Sequence, residues 1–114
     1  MSSILNNVIS KNDLLDLIEK DTNNYYYDIV FLGRLSNVKD PLRFVEIIKS
    51  IFITNKSIKC AMIGDGELRF ECERKIAEYN LQSNIELLGF MHNPYKILSQ
   101  SKIMLITSRF EGMP

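Results

Sequence analysis

Two cations follow a glycine closely in this chain: Gly33, Arg34 and Lys39 sit at and just beyond the end of an apolar run over residues 28–33. A second polar stretch, near the end of the sequence, carries Ser108, Arg109, Glu111 and Gly112. Glycine allows close backbone approach, arginine offers a planar fork of donors and lysine a point charge, so the first stretch suits a diphosphate. A carboxylate accepts two or more hydrogen bonds and suits hydroxyl groups, which gives Glu111 a role toward a polyol. Phosphate on one side of a crevice and polyol on the other is the profile of a nucleotide-sugar site. The same residue types serve equally well as solvated loop charges and an ordinary surface acid.

Other chemistries find little support. His92 is the single histidine, with no second His and no Cys or Ser constellation beside it, which argues against a metal centre or a catalytic triad. Cys60 lies in an apolar run and Cys72 in a helical pattern; they read as two small reduced core residues of a cytosolic protein. Lys and Arg together number 14, as do Asp and Glu, and this zero balance disfavours a non-specific nucleic-acid binder. No apolar run is long enough for a membrane span. Residues 1–24 lack the basic start of a signal peptide.

The elements that must position the two polar stretches recur as a cycle. With 114 residues and 46% hydrophobic content, the chain is sized for one domain with one core. Residues 28–33 read as a buried strand, and Asp40-Pro41 as the cap and first position of a helix over 41–53. Residues 58–63 form a second strand, ended by Gly64-Asp65-Gly66. Leu68, Cys72, Ile76 and Tyr79 recur at helical spacing, and Asn80-Leu81 suits a left-handed helix stop. Residues 84–88 make a third strand closed by Gly89, Asn93-Pro94 starts a short helix through about Gln100, and 103–107 a fourth strand. Alternation with short connections predicts an α/β fold with a parallel sheet. With strand order 3-2-1-4, the ligand crevice opens between strands one and four, where the two polar stretches meet. Residues 1–24 read as a lead-in, with a helical turn or two around Leu14–Ile18, and 25–114 as the domain.

The wording of the strand ends is specific. Residues 31–41, Phe-Leu-Gly-Arg-Leu-Ser-Asn-Val-Lys-Asp-Pro, resemble the Gly-Arg-Leu-x-x-x-Lys signature of the retaining glycosyltransferases of family 4, the glycosyl transferases group 1. Residues 62–68, Met-Ile-Gly-Asp-Gly-Glu-Leu, resemble the second-strand turn of that family, and residues 85–90, Ile-Glu-Leu-Leu-Gly-Phe, its third-strand segment. Residues 108–114, Ser-Arg-Phe-Glu-Gly-Met-Pro, resemble the opening of its Ser-x-x-Glu-Gly-x-Pro element, which begins a Glu-x7-Glu motif. The four features stand in family order from Tyr25 to the end.

The resemblance implies a Rossmann-like sheet with flanking helices, part of the C-terminal, donor-binding domain of a two-domain GT-B enzyme. It implies transfer of a hexosyl group from a nucleotide sugar to a glycan or lipid-linked acceptor, with retention, in bacterial surface polysaccharide synthesis. Carried over by position, Arg34 and Lys39 contact the donor diphosphate and Glu111 faces the donor sugar. The backbone of Phe90 and Met91 lies near the nucleobase, and Gly33, Ser108, Gly112 and Met113 complete the donor side. Such enzymes need no metal, so no cofactor is expected, and the parent is placed in the cytoplasm or on the inner membrane face. Asp40 stands where the family often has glycine, a departure that the helix-cap role accounts for. The second Glu of the Glu-x7-Glu motif falls beyond Pro114, so the expected reading is a fragment, inactive in transfer by itself, with strand 103–107 bare along one edge and prone to self-association. The other readings are a non-catalytic α/β nucleotide-binding or interaction module, and a different GT-B enzyme such as a sugar-nucleotide epimerase, for which His92 alone is too little.

Overall fold

The computed structural model describes residues 10–108. It contains, in order, α1 (Lys11–Lys20), β1 (Ile29–Leu32), α2 (Pro41–Phe52), β2 (Cys60–Ile63), α3 (Arg69–Glu78), β3 (Ile85–Gly89), α4 (Tyr95–Gln100) and β4 (Ile103–Met104). All strand pairs are parallel and the order across the sheet is β3-β2-β1-β4, as the alternating pattern predicts.

Successive strand side chains alternate between two faces, and each face has its own core. Phe31, Cys60 and Met62 pack against Phe44, Val45 and Ile48 of α2 and Cys72 and Ile76 of α3. Val30, Ala61 and Ile63 point the other way, onto Ile97 of α4 with Tyr25 and Tyr27 around it. Strands covered on both faces need apolar residues at every position, which is why β1 and β2 read as continuous apolar runs rather than alternating ones. The two cysteines are free and buried, and burial pushes their thiols up to about 12 for Cys60 and about 11 for Cys72.

Local signals set the helix ends. The Asp40 carboxylate accepts the Arg43 N–H at 3.3 Å and caps α2, while its backbone sits at φ 49°. That left-handed conformation accounts for the glycine commonly found here in the family it resembles: glycine adopts it without strain, and aspartate tolerates it better than most. Asn80 stops α3 at φ 57°; its N–H reaches the Ala77 carbonyl at 3.0 Å and the Leu81 N–H reaches Ile76 at 2.8 Å, with Leu81 fully buried behind them. This is the paired hydrogen-bond stop expected from Asn-Leu after a helix.

Three boundaries depart from the sequence reading by more than one residue. α1 is a full ten-residue helix, started by Ser10, whose hydroxyl accepts the Asp13 N–H at 3.1 Å. It rests on α4 through Asn93, which donates to the Leu17 carbonyl at 2.7 Å, and Lys96, which donates to the Asp21 carbonyl at 2.9 Å. β2 begins at Cys60 rather than residue 58, because the buried Asn84 amide donates to the carbonyls of Lys56 and Ile58, at 3.0 and 2.9 Å, and takes the latter out of the ladder. β4 covers two residues rather than five; one further bond runs from Leu105 N–H to Val30, and then the chain leaves β1.

Asp28 clamps the opposite end of the sheet from the strand-end glycines. Its carboxylate accepts the Lys59 N–H at 3.0 Å and pairs with Lys102 at 3.0 Å, joining the entries to β1, β2 and β4. The Lys59 bond first, and Lys102 second, hold this carboxyl below its ordinary 3.8. A carboxyl lowered by folding stabilises the fold fully well above its unfolded value and loses that contribution as pH falls through 3.8 toward the lowered folded value. Asp28→Asn is therefore expected to cost about 1 kcal/mol at neutral pH and to flatten the acid limb of stability below about pH 4. Urea melts of both forms between pH 2.5 and 7 check this; identical acid limbs would remove Asp28 from the account.

Candidate functional site

Three strands end in glycines whose backbones meet. Gly33, Gly64 and Gly89 all have positive φ, at 156°, 142° and 76°. The Gly33 N–H donates to the Ile63 carbonyl at 3.0 Å, and the Gly64 N–H to the Gly89 carbonyl at 2.8 Å. A Cβ on Gly64 would stand 1.9 Å from the Gly33 oxygen, so no side chain fits there. Gly66 is closed off in the same way, with the Leu35 backbone oxygen 2.6 Å from any Cβ. The result is a terrace of bare backbone at the carboxyl ends of β1, β2 and β3, where parallel sheets place ligands.

Leu35 sets the direction of the loop that leaves this terrace. It is fully buried although its neighbours are polar. Its N–H donates to the Asp65 carbonyl at 3.0 Å, and its carbonyl accepts the Leu68 N–H at 2.9 Å. With Leu35 turned in, Arg34 turns out. The loop closes when the Asp40 N–H reaches the Ser36 carbonyl at 3.0 Å, and the stem of Lys39 then lies over Gly33, with Cγ and Cδ each 3.7 Å from its would-be Cβ.

Two hollows adjoin here and share Leu32. The larger, about 300 Å³, lies above β1, β2 and β3 and is lined by Gly33, Arg34, Gly64, Asp65, Phe90 and Met91 among others. The smaller, about 160 Å³, opens above β1 and β4 and is lined by Lys39, Thr107 and Ser108 with apolar residues of both strands. Of the residues singled out in the sequence, the structure thus gathers Gly33, Arg34, Phe90 and Met91 around one hollow and Lys39 and Ser108 around the other. Glu111, Gly112 and Met113 lie outside the described residues. The crevice is not confined to the β1–β4 switch: its larger part sits over β2, because the glycine terrace leaves no side chains to fill that space.

Charged neighbours tune the rim. Arg34 donates to Glu67 at 3.5 Å, with both side chains more than half exposed. An exposed pair at that distance is weak, and one long bond leaves most of the five-donor fork available to an anion. Arg69 of α3 reaches Glu73 at 3.1 Å and, at 3.9 Å, Asp65, which lines the larger hollow. Phe90 is largely exposed and meets the edge of His92 at 4.9 Å. Among the described residues, no three His, Cys, Asp or Glu side chains are grouped to hold a metal ion, and no helix is long and apolar enough to cross a membrane.

Glu67, Arg69 and Thr107 carry no role in the sequence reading. Their contacts to Arg34, Asp65 and the Lys39 loop follow from how strand ends converge, and no local pattern announces them. The one available signal was the position of Glu67 and Arg69 just after Gly64-Asp65-Gly66, at the mouth of a strand.

Gly64→Ala tests the terrace. The methyl group must displace the Gly33 carbonyl at a backbone angle that alanine avoids, so a loss of about 3 kcal/mol or more is expected. Thermal or urea unfolding measures it; a loss under about 1 kcal/mol would mean that the strand ends are farther apart than described.

Comparison with known proteins agrees with this geometry. The family described as Glycosyl transferases group 1 matches residues 16–114. An uncharacterized glycosyltransferase of Methanocaldococcus jannaschii is 32% identical over 100 residues, which is 85% of this chain and 25% of that protein. The UDP-Gal:alpha-D-GlcNAc-diphosphoundecaprenol alpha-1,3-galactosyltransferase of Escherichia coli is 32% identical over 110 residues, 93% of this chain and 28% of that one. The chain thus spans about a quarter of the length of these curated relatives. Among solved structures, S. aureus TarM in complex with Fondaparinux, alpha-GlcNAc-glycerol and UDP superposes with a TM-score of 0.68 at 20% identity, over 89% of this chain and 24% of that one. That likeness is one of fold.

Proposed function

Because the chain belongs to the glycosyl transferases group 1 family, we propose that it forms part of the donor half of a retaining enzyme that moves a hexosyl group from a nucleotide sugar to a glycan or lipid-linked acceptor. The observation that carries this reading is the pair of adjoining hollows over bare strand ends, with Arg34 on one and Lys39 on the other. The E. coli relative, a UDP-Gal-dependent galactosyltransferase, and the TarM complex with UDP favour a uridine diphosphate donor. The lipid-linked acceptor of the E. coli relative favours work in surface polysaccharide synthesis, on the cytoplasmic side of the membrane.

In this reading Gly33 and Gly64 let the diphosphate come close to the backbone. As the bond from sugar to phosphate breaks, negative charge grows on the leaving diphosphate, and Arg34 and Lys39 offset it from fixed positions. Two cations at these places supply the charge that a metal ion supplies elsewhere, so no metal is required. Phe90 and Met91 border the nucleobase. Ser108 and, beyond the described residues, Glu111, Gly112 and Met113 face the sugar and its phosphate.

UDP and uridine titrated against the 114-residue chain provide the test. UDP is expected to bind weakly, more tightly than uridine, less tightly in high salt and equally with or without EDTA. Arg34→Ala is expected to weaken UDP about tenfold or more and leave uridine unchanged. In a complete two-domain enzyme the same change is expected to lower kcat/KM on the order of 100-fold, with Arg34→Lys rescuing only part. UDP binding indifferent to Arg34 would remove the arginine from the site.

A further proposal concerns β4. It pairs with β1 alone among the described strands, and Ile103, Met104 and Ile106 are each half or more exposed. The 114-residue chain self-associates along this edge, as exposed apolar strand edges do. Ile106→Lys, which leaves the inward-packed Leu105 in place, is expected to lower the mass seen by light scattering over a concentration series. A wild-type chain that stays monomeric at high concentration would refute it.

A further inference from the structure

Thr107 is one of two buried polar residues among those described, and its hydroxyl is spent on the opposite loop. Its Oγ1 lies 2.8 Å from the Lys39 carbonyl oxygen and 2.9 Å from that of Asp40. A hydroxyl has one proton to donate, so it is shared between the two carbonyls. Both belong to the turn in which Asp40 adopts its left-handed backbone and α2 begins. Nearly seventy residues separate the bonded groups in sequence, and they sit on the two sides of the smaller hollow, with Ser108 next along the chain. The bond also falls where β4 leaves the ladder, so it takes over from strand pairing in holding the end of β4 beside β1.

We propose that Thr107 is a positioning residue for Lys39: its hydroxyl fixes the Lys39–Asp40 turn and thereby sets where the lysine stands over the smaller hollow. This rests on the donor-site reading above. Hydrophobic contact cannot supply the same constraint, because the two acceptors are backbone carbonyls, whose direction decides the path of the turn. The turn is strained at Asp40, and a strained turn holds one geometry only when its surroundings over-determine it. Thr107 is thus to Lys39 what Leu35 is to Arg34, the buried neighbour that aims an outward cation.

The test compares Thr107→Val, which keeps the shape and loses the donor, with Thr107→Ser, which keeps the donor. Hydrogen exchange at the amides of Asp40 and Arg43, which bond to the Ser36 carbonyl and to Asp40, with Val30–Leu32 as a control for folding, reads the turn directly. UDP and uridine titrations read the consequence. Thr107→Val is expected to raise exchange at the turn at least tenfold with the β1 control unchanged, and to weaken UDP several-fold without affecting uridine. Thr107→Ser is expected to restore both. Lys39→Ala combined with Thr107→Val is expected to bind UDP no more weakly than Lys39→Ala alone, since both changes remove the same contact. Unchanged exchange at the turn, equal loss of UDP and uridine, or UDP binding that stays as in the wild type would each overturn the role. A wild-type chain that binds no UDP would instead overturn the donor-site reading, and the role with it.

Discussion

The contact between Gly33 and Gly64 is the constraint on which the upper end of this sheet depends. Two backbones meet there with no room for a single methyl group. A side chain on Gly64 would have to push the Gly33 carbonyl aside and splay the strands, whereas one on Gly33 would meet only the Lys39 stem and Phe31 at ordinary contact distance. The bare terrace and the open space above it have one cause. The second glycine of the β2 turn repeats the device one level out, where Gly66 lies against Leu35.

From that contact the placement of charge follows. The loop after β1 is pinned at Leu35 by hydrogen bonds to the β2 turn, and pinned again at Lys39 and Asp40 by Thr107. Between the pins the backbone has little freedom, so Arg34 and Lys39 leave it at set points on either side of Leu32. Long cationic side chains lose entropy when held, and rigid roots reduce how much must be lost when an anion arrives. The exposed Glu67 opposite Arg34 makes only a weak pair with it.

Much of this was legible in the sequence, and the legible part has a common character. Strand order, the Asn80-Leu81 stop, the Asp40 cap and the glycines closing β1, β2 and β3 are signals carried by a few adjacent residues. Such signals reflect backbone conformation, which adjacent residues dictate. What escaped was long-range. Leu35 sits in a polar stretch and reads as loop, yet it is buried because the β2 turn closes over it. Thr107 reads as the last residue of a strand, yet its partners lie in the loop after β1, nearly seventy residues away in sequence. α1 reads as a turn or two because its apolar residues are few; it is completed by Ser10 and steadied by the polar side chains of Asn93 and Lys96 around α4. The candidate residues are thus readable as a set, while their division between two hollows is not, since it depends on Leu32 and on the space over Gly64.

The strand order has a consequence for how the molecule comes into being. β1, β2 and β3 are neighbours in space and successive in the chain, so each can join the last as it leaves the ribosome. β4 is the exception: it must travel back past two strands to pair on the far side of β1, where Ile29 meets Ile103. A nascent chain can hence complete the larger hollow, with Arg34 on its rim, while the smaller one does not yet exist. The lysine is aimed only when β4 docks and Thr107 closes over the turn. The two halves of the cleft can thus be of different ages within one copy.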